Sequence, residues 1–163
     1  MINGKKKPYA IIVFGAPMSG KTSFAEHFSD SIEAPFLNFY KLQDENKLTR
    51  KTAIEFIRIM AHGKQTIILE GMGDTESNRE EMRKLFNELG YQTALIWVQT
   101  DLNAIKQRML RRYKKLADAK AALSASYEHL EAPTEEENPI VISGKHTPQT
   151  QIKNVLSRLA DIK

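Results

Sequence analysis

"YAIIVFGAPMSGKTSFAEHF", residues Tyr9 to Phe28, decides how this chain is read. Tyr9 to Phe14 is a short apolar run rich in β-branched residues and ended by Gly15, which predicts a strand buried on both faces. Downstream, Phe24, Phe28 and Ile32 recur at helical spacing, so residues 20–32 are expected to form a helix. Between the two lies "GAPMSGKT", Gly15 to Thr22, which fits G-x-x-x-x-G-K-[ST] without gaps. Strand before and helix after are the context that spacing requires.

The chemistry of this loop follows from its residue types. Glycines let the backbone wrap closely around an anion. Successive N–H groups then point inward, and the helix N-terminus adds positive potential. Lys21 can reach β- and γ-phosphates, and the Thr22 hydroxyl, or Ser23 in its place, can ligate Mg²⁺. Pro17 has no N–H and must sit where none is needed. Gly15, Ala16, Pro17, Met18, Ser19, Gly20, Lys21, Thr22 and Ser23 are therefore expected to hold a nucleoside triphosphate, ATP with Mg²⁺ in the first instance.

Working outward, strand and helix patterns alternate. "APFLNFY" (34–40), "QTIILEG" (65–71), "YQTALIWV" (91–98) and "PIVISG" (139–144) read as further strands. "LTRKTAIEFIRIMAHG" (48–63) reads as a helix with Ala53, Phe56, Ile57 and Met60 inward and Gly63 as its stop. "TESNREEMRKLFNELG" (75–90) turns Met82, Leu85, Phe86 and Leu89 inward. Residues 101–130 form a long, broken helical stretch with Asp101 as N-cap, and "APTEEEN" (132–138) is a loop. The last helix starts at Thr147 with Pro148 in its first turn. Alternation of this kind implies parallel strands and right-handed crossovers. The expected fold is a three-layer α/β/α sandwich of about five parallel strands. One domain spans 1–163, with residues 108–137 as a candidate lid.

Bulk composition excludes several classes. The 163 residues contain no cysteine, which removes disulfide frameworks, zinc–cysteine sites and a cysteine nucleophile. A net charge of +4 suits a phosphate-binding groove without implying a nucleic-acid coat. The start, "MINGKKKPYAIIVF", imitates a signal peptide but runs straight into the glycine loop. No stretch is long enough to span a bilayer. A cytoplasmic protein with no membrane partner is expected. His27, His62, His129 and His146 make no metal spacing and read as structural, and Trp97 reads as core.

Charged residues supply the rest of the candidate site. Glu70, in "TIILEGMGD", falls at the carboxyl edge of the third strand, where open α/β folds bind ligands. A carboxylate there can orient Mg²⁺ or take a proton from an attacking hydroxyl. Asp74 is a second candidate. Arg108, Arg111 and Arg112 share one helix face and suit the charge of a transferring phosphoryl group. Arg79 can reach substrate or pair with Glu76 or Glu80.

Taken with these motifs, the sequence resembles P-loop kinases of the adenylate kinase and polynucleotide kinase superfamily, including zeta-toxin-like and seryl-tRNA-kinase-like members. "GAPMSGKT" resembles the GAPGxGK loop. "ILEGMGDTESNRE" resembles the strand-end acid and helix-opening arginine, here Glu70 and Arg79. "QRMLRR" resembles the R-x-x-R of the lid, and "YEHLEAPTEEENPIVISG" the stretch before the last strand, with Tyr127, Glu128, Pro133 and Glu137 at the matching places. The resemblance covers most of the chain and departs from the pattern twice. "LNFYKLQD" puts Asn38 or Tyr40 where the family has an Asp that activates the acceptor, and Asp44 comes late. "EGMGDT" lacks the arginine that holds a nucleoside monophosphate, which argues against a mononucleotide acceptor.

The resemblance implies transfer of the ATP γ-phosphate to a hydroxyl of a small molecule or of a nucleic-acid end. Lys21, Glu70, Arg108 and Arg112 are then the catalytic candidates. Thr22 and Glu70 are the metal candidates. Arg111 joins the nucleotide-binding set, and Arg79, Asp74 and Tyr40 face the substrate. The alternative is a nucleotide-binding ATPase or regulatory module with little transfer. Acceptor identity, the general base and the oligomeric state stay open.

Overall fold

A computed structural model describes residues 7–46 and 48–162, the side chains of 45, 46 and 126 apart. The signal-like start at residues 1–6 and Lys163 lie outside the described residues. Five strands, β1 (Tyr9–Phe14), β2 (Phe36–Asn38), β3 (Ile67–Glu70), β4 (Gln92–Gln99) and β5 (Ile140–Ser143), form one parallel sheet in the order β2-β3-β1-β4-β5. The helices are α1 (Lys21–Ile32), α2 (Phe39–Asn46), α3 (Arg50–Ala61), α4 (Glu76–Glu88), α5 (Leu102–Arg112), α6 (Leu116–Tyr127) and α7 (Pro148–Asp161). The expected three-layer sandwich is borne out.

The strand sequences look uniformly apolar because both faces of the sheet are covered. Ala10, Ile12 and Phe14 of β1 join Ile67, Leu69 and Leu95 on one face, against α3 and α4. Ile11 and Val13 join Ile68, Ala94, Ile96 and Val98 on the other, against Phe24 and Phe28 of α1 and Val155 of α7. A smaller cluster, Ile105, Met109 and Ala119 with Ala16, seats α5 and α6 on the glycine loop. Caps begin the helices as read: Asp101 accepts from the Ala104 N–H and Thr147 from the Thr150 N–H.

Three local readings are corrected. Residues 34–40 are not one strand: β2 stops at Asn38, whose Oδ1 accepts from the Lys41 N–H at 3.1 Å, so Phe39 and Tyr40 open α2. Phe56 is 40% exposed, because the buried stripe of α3 is Ala53, Ile57 and Ala61. Within "APTEEEN", Glu135–Glu137 form a 3-10 turn. After α6, residues 128–139 return past the sheet's carboxyl edge to β5; this segment is the strap.

Candidate active site

β1 ends at Phe14, and the glycine loop leaves the middle of the sheet at its carboxyl edge. Gly20, at φ +98°, holds a left-handed conformation and caps α1, so the Lys21, Thr22 and Ser23 amides begin the helix with free N–H groups. Neighbouring elements clamp the loop from outside. Thr100 Oγ1 donates to the Ser19 carbonyl at 2.8 Å. Arg108 donates through Nη1 to the Met18 carbonyl at 2.7 Å and through Nη2 to the Gly144 carbonyl at 3.1 Å. A Cβ on Gly144 would lie 1.8 Å from the Ser19 carbonyl oxygen, so only glycine lets β5 approach the loop.

Lys21 reaches back over the loop and donates to the Ala16 carbonyl at 3.3 Å. Burial pushes its pKa down, and the charges of Glu70 and Asp74 work against that. Glu70 ends β3 beside Val13 of β1 and Asn38 of β2. It is 2% exposed; Oε1 accepts from Thr22 Oγ1 at 2.7 Å, while Oε2 is buried without a partner. Burial raises its pKa, against the Thr22 hydrogen bond and the Lys21 charge, which lower it. An unpartnered carboxylate oxygen next to a hydroxyl is a donor set suited to a hard cation that keeps most of its ligands from phosphate and water. Among the described residues no three His, Cys, Asp or Glu side chains gather, so no all-protein metal cage exists there.

Two cavities meet at Pro17 and Lys21. The larger, about 600 Å³, lies between the loop and α5 and is lined by Met18, Gly20, Thr22, Ser23, Arg108 and Arg112 among others. The smaller, about 320 Å³, is lined by Gly15, Tyr40, Asp74, His129 and Leu130 besides the shared pair. Tyr40 donates its hydroxyl to Asp74 Oδ2. Arg112 is exposed yet faces the larger cavity; Arg111 is exposed and lines neither. His129, read from sequence as structural, lies on the smaller cavity; an isolated histidine in a loop gave no signal for this.

Arg79 is placed differently from either sequence reading. It is fully buried and grips the Glu137 carboxylate with two hydrogen bonds, Nε to Oε1 at 2.7 Å and Nη2 to Oε2 at 2.9 Å. Nη1 donates to the carbonyls of Gly73, Asp74 and Glu131, and the guanidinium stacks on Phe14, 4.8 Å from the ring centre. Each of its three nitrogens has a partner within the protein and the side chain is fully buried, so Arg79 does not reach a substrate. It pairs with neither Glu76 nor Glu80, because its side chain runs inward under the strap.

Comparison with known proteins adds the following. A family model described as an AAA domain matches residues 33–135. Curated protein sequences give no match. Among solved structures, a gluconokinase from Sinorhizobium meliloti 1021 superposes with a TM-score of 0.67 at 18% identity, covering 97% of this chain and 95% of that one. The Mycobacterium tuberculosis APS kinase CysC, in complex with AMPPNP and APS, gives 0.68 at 17% identity, covering 96% and 99%. Chaetomium thermophilum Kti12, in complex with ADP-AlF3, gives 0.68 at 14% identity, covering 94% and 98%. At such identities the likeness is one of fold.

Proposed function

Since the chain belongs to the AAA domain family and has the fold of the P-loop kinase-like NTPases, we propose that it is an ATP-dependent phosphotransferase acting on a hydroxyl. The observation that carries this is the pair of cavities joined at Lys21. A nucleotide-binding protein needs one; a transferase needs a second that opens onto the same phosphate.

In this reading the loop amides and Lys21 hold the β- and γ-phosphates, and the larger cavity takes the rest of the nucleotide. Thr22 and Glu70 would hold Mg²⁺, which would supply positive charge to offset that of the phosphates. Arg108 fixes the loop through Met18 and Gly144, and Arg112 faces the larger cavity, where a guanidinium offsets phosphoryl charge. Residues 108–137 act as the lid that excludes water. Among the described residues no helix is long and apolar enough to cross a membrane.

The test is Lys21→Ala. Calorimetry with Mg·ATP on wild type should show binding, and the variant should lose turnover by on the order of 10²-fold or more with its fold intact. Normal turnover by the variant sinks the reading. A second reading, a module that binds ATP and transfers little, is favoured by the end of β2: Asn38 spends its side chain capping α2, and Asp44 is exposed on that helix. Label from γ-labelled ATP appearing on no acceptor despite tight binding would select it.

A further inference from the structure

Lys21 has a carboxylate on its far side that the reading above leaves unused. We propose that Asp74 is the base that takes the proton from the acceptor hydroxyl, that Tyr40 is its positioning residue, and that the acceptor is an uncharged polyhydroxyl compound. This rests on the phosphotransferase reading and deepens it.

Asp74 belongs to the loop between β3 and α4. Its backbone is pinned: the carbonyl accepts from the Glu131 N–H at 2.8 Å and from Arg79 Nη1 at 3.3 Å. The carboxylate is pinned as well, with Oδ2 taking the Tyr40 hydroxyl. That leaves Oδ1, buried and without a partner, on a residue that lines the cavity Lys21 shares. Among the described residues lining that cavity, Asp74 is the one carboxylate. Tyr40 does not compete for the role. Burial and then the Asp74 charge push its phenol far above the usual range, so it stays protonated and donates. A base must lie within hydrogen-bond reach of the proton it takes and be held there; Asp74 is held by Tyr40, Arg79 and Glu131 and lines the cavity beside Lys21, although the end of β2 supplies no acid.

Charge sets the acceptor class. Lys21 is committed to the phosphates of ATP, and the smaller cavity then presents Asp74, with Glu70 nearby. No arginine lines it among the described residues; the remaining cation former is the His129 imidazole. An acceptor bearing a phosphate, sulfate or carboxylate would meet like charge with no guanidinium to offset it. A neutral polyol meets no such repulsion and finds the Asp74 carboxylate and the His129 imidazole on the cavity lining.

The acceptor O–H breaks and its proton goes to Asp74 Oδ1. The oxygen forms a bond to the γ-phosphorus while the bond to the β–γ bridging oxygen breaks, and ADP leaves with that electron pair. Asp74 then returns its proton to water.

The experiment measures Mg·ATP binding by calorimetry and ADP release for wild type, Asp74→Asn, Asp74→Glu and Tyr40→Phe. Acceptors are water, glycerol, erythritol, D-ribose, D-glucose and adenosine, against D-gluconate, shikimate and AMP. Asp74→Asn should keep its melting transition and Mg·ATP affinity while kcat falls about 10²-fold or more, and Asp74→Glu should recover part of it. Tyr40→Phe should lower kcat about tenfold with KM for ATP unchanged, and should add nothing in the Asp74→Asn background, which a merely structural tyrosine would not obey. Wild-type kcat in Asp74→Asn overturns the base. Preference for the anionic acceptors, or Mg·ATP binding with release of ADP to none of the neutral ones, overturns the class. Absence of Mg·ATP binding in wild type instead overturns the nucleotide reading itself.

Discussion

The glycine loop and the strap approach the same cleft from opposite sides and are built on different principles. The loop, residues 15–22, has its turn set by its own sequence, with Gly20 in the left-handed conformation and the following helix orienting the amides, and Thr100 and Arg108 then brace it from outside. The strap, residues 128–139, has one local device, the Thr134–Glu137 capping box around its 3-10 turn. Its place is set by Arg79, 58 residues away from Glu137 along the chain. In one region a local glycine turn is clamped by distant groups; in the other a distant arginine ties down the chain.

The largest effect that could break this contrast is Arg79→Ala. It strands a buried Glu137 carboxylate, which is expected to cost about 3–5 kcal/mol in urea unfolding. The cleft should loosen on the strap side, with Mg·ATP affinity far less affected than stability. A loss below about 1 kcal/mol would place the pair among surface ion pairs and remove the contrast.

Gly144→Ala probes the other region. Its new methyl must displace the Ser19 carbonyl, so the loop itself shifts. Overpacking of this kind costs about 1–3 kcal/mol, and here Mg·ATP affinity should fall along with stability. Unchanged affinity would show that the loop does not depend on β5.

The smallest effect is read from pH. Hydrogen bonds from Arg79 hold the Glu137 carboxyl below its ordinary 4.5, against the pull of desolvation. The unfolded chain therefore binds the proton first. The stabilisation is complete above pH 4.5 and drains away as pH falls through the depressed folded value. Glu70 has the opposite sign: burial holds its folded pKa above 4.5, so stability is lost as pH rises from 4.5 through that value. Glu137→Gln should flatten the acid limb of urea stability below pH 4.5. Glu70→Gln should remove the loss above it, at the expense of turnover. The same limb in both variants would contradict the assignment.

This contrast also explains what the sequence could reveal. The order of strands and helices, the loop, Glu70 at the strand edge and the Asp101 and Thr147 caps depend on neighbours within a few residues, and they were legible. Arg79 was not: sequence proximity offers Glu76 and Glu80, while the fold offers Glu137 and three carbonyls. Phe39 and Tyr40 look like strand residues because aromatics favour strands, but the side chain of Asn38 turns them into a helix start. That turn brings Tyr40 to Asp74; both were candidates in the sequence, but their hydrogen bond to each other was not legible there. Gly144 and Thr100 carried no motif, since their role exists only where the ends of β4 and β5 converge on the loop.

Phe14 bears the Arg79 guanidinium, and it also stacks on Trp97, with ring centres 6.4 Å apart and planes inclined by 4°. Trp97 is the only tryptophan in the chain and borders a third hollow that it shares with Ala16 of the loop and with Tyr127 and Leu130 where α6 passes into the strap. Its indole thus samples the polarity of a space whose walls are the two regions contrasted above. The molecule carries its own optical reporter: emission of the single tryptophan should respond, without a label, to any change of packing where Ala16, Tyr127 and Leu130 line its hollow.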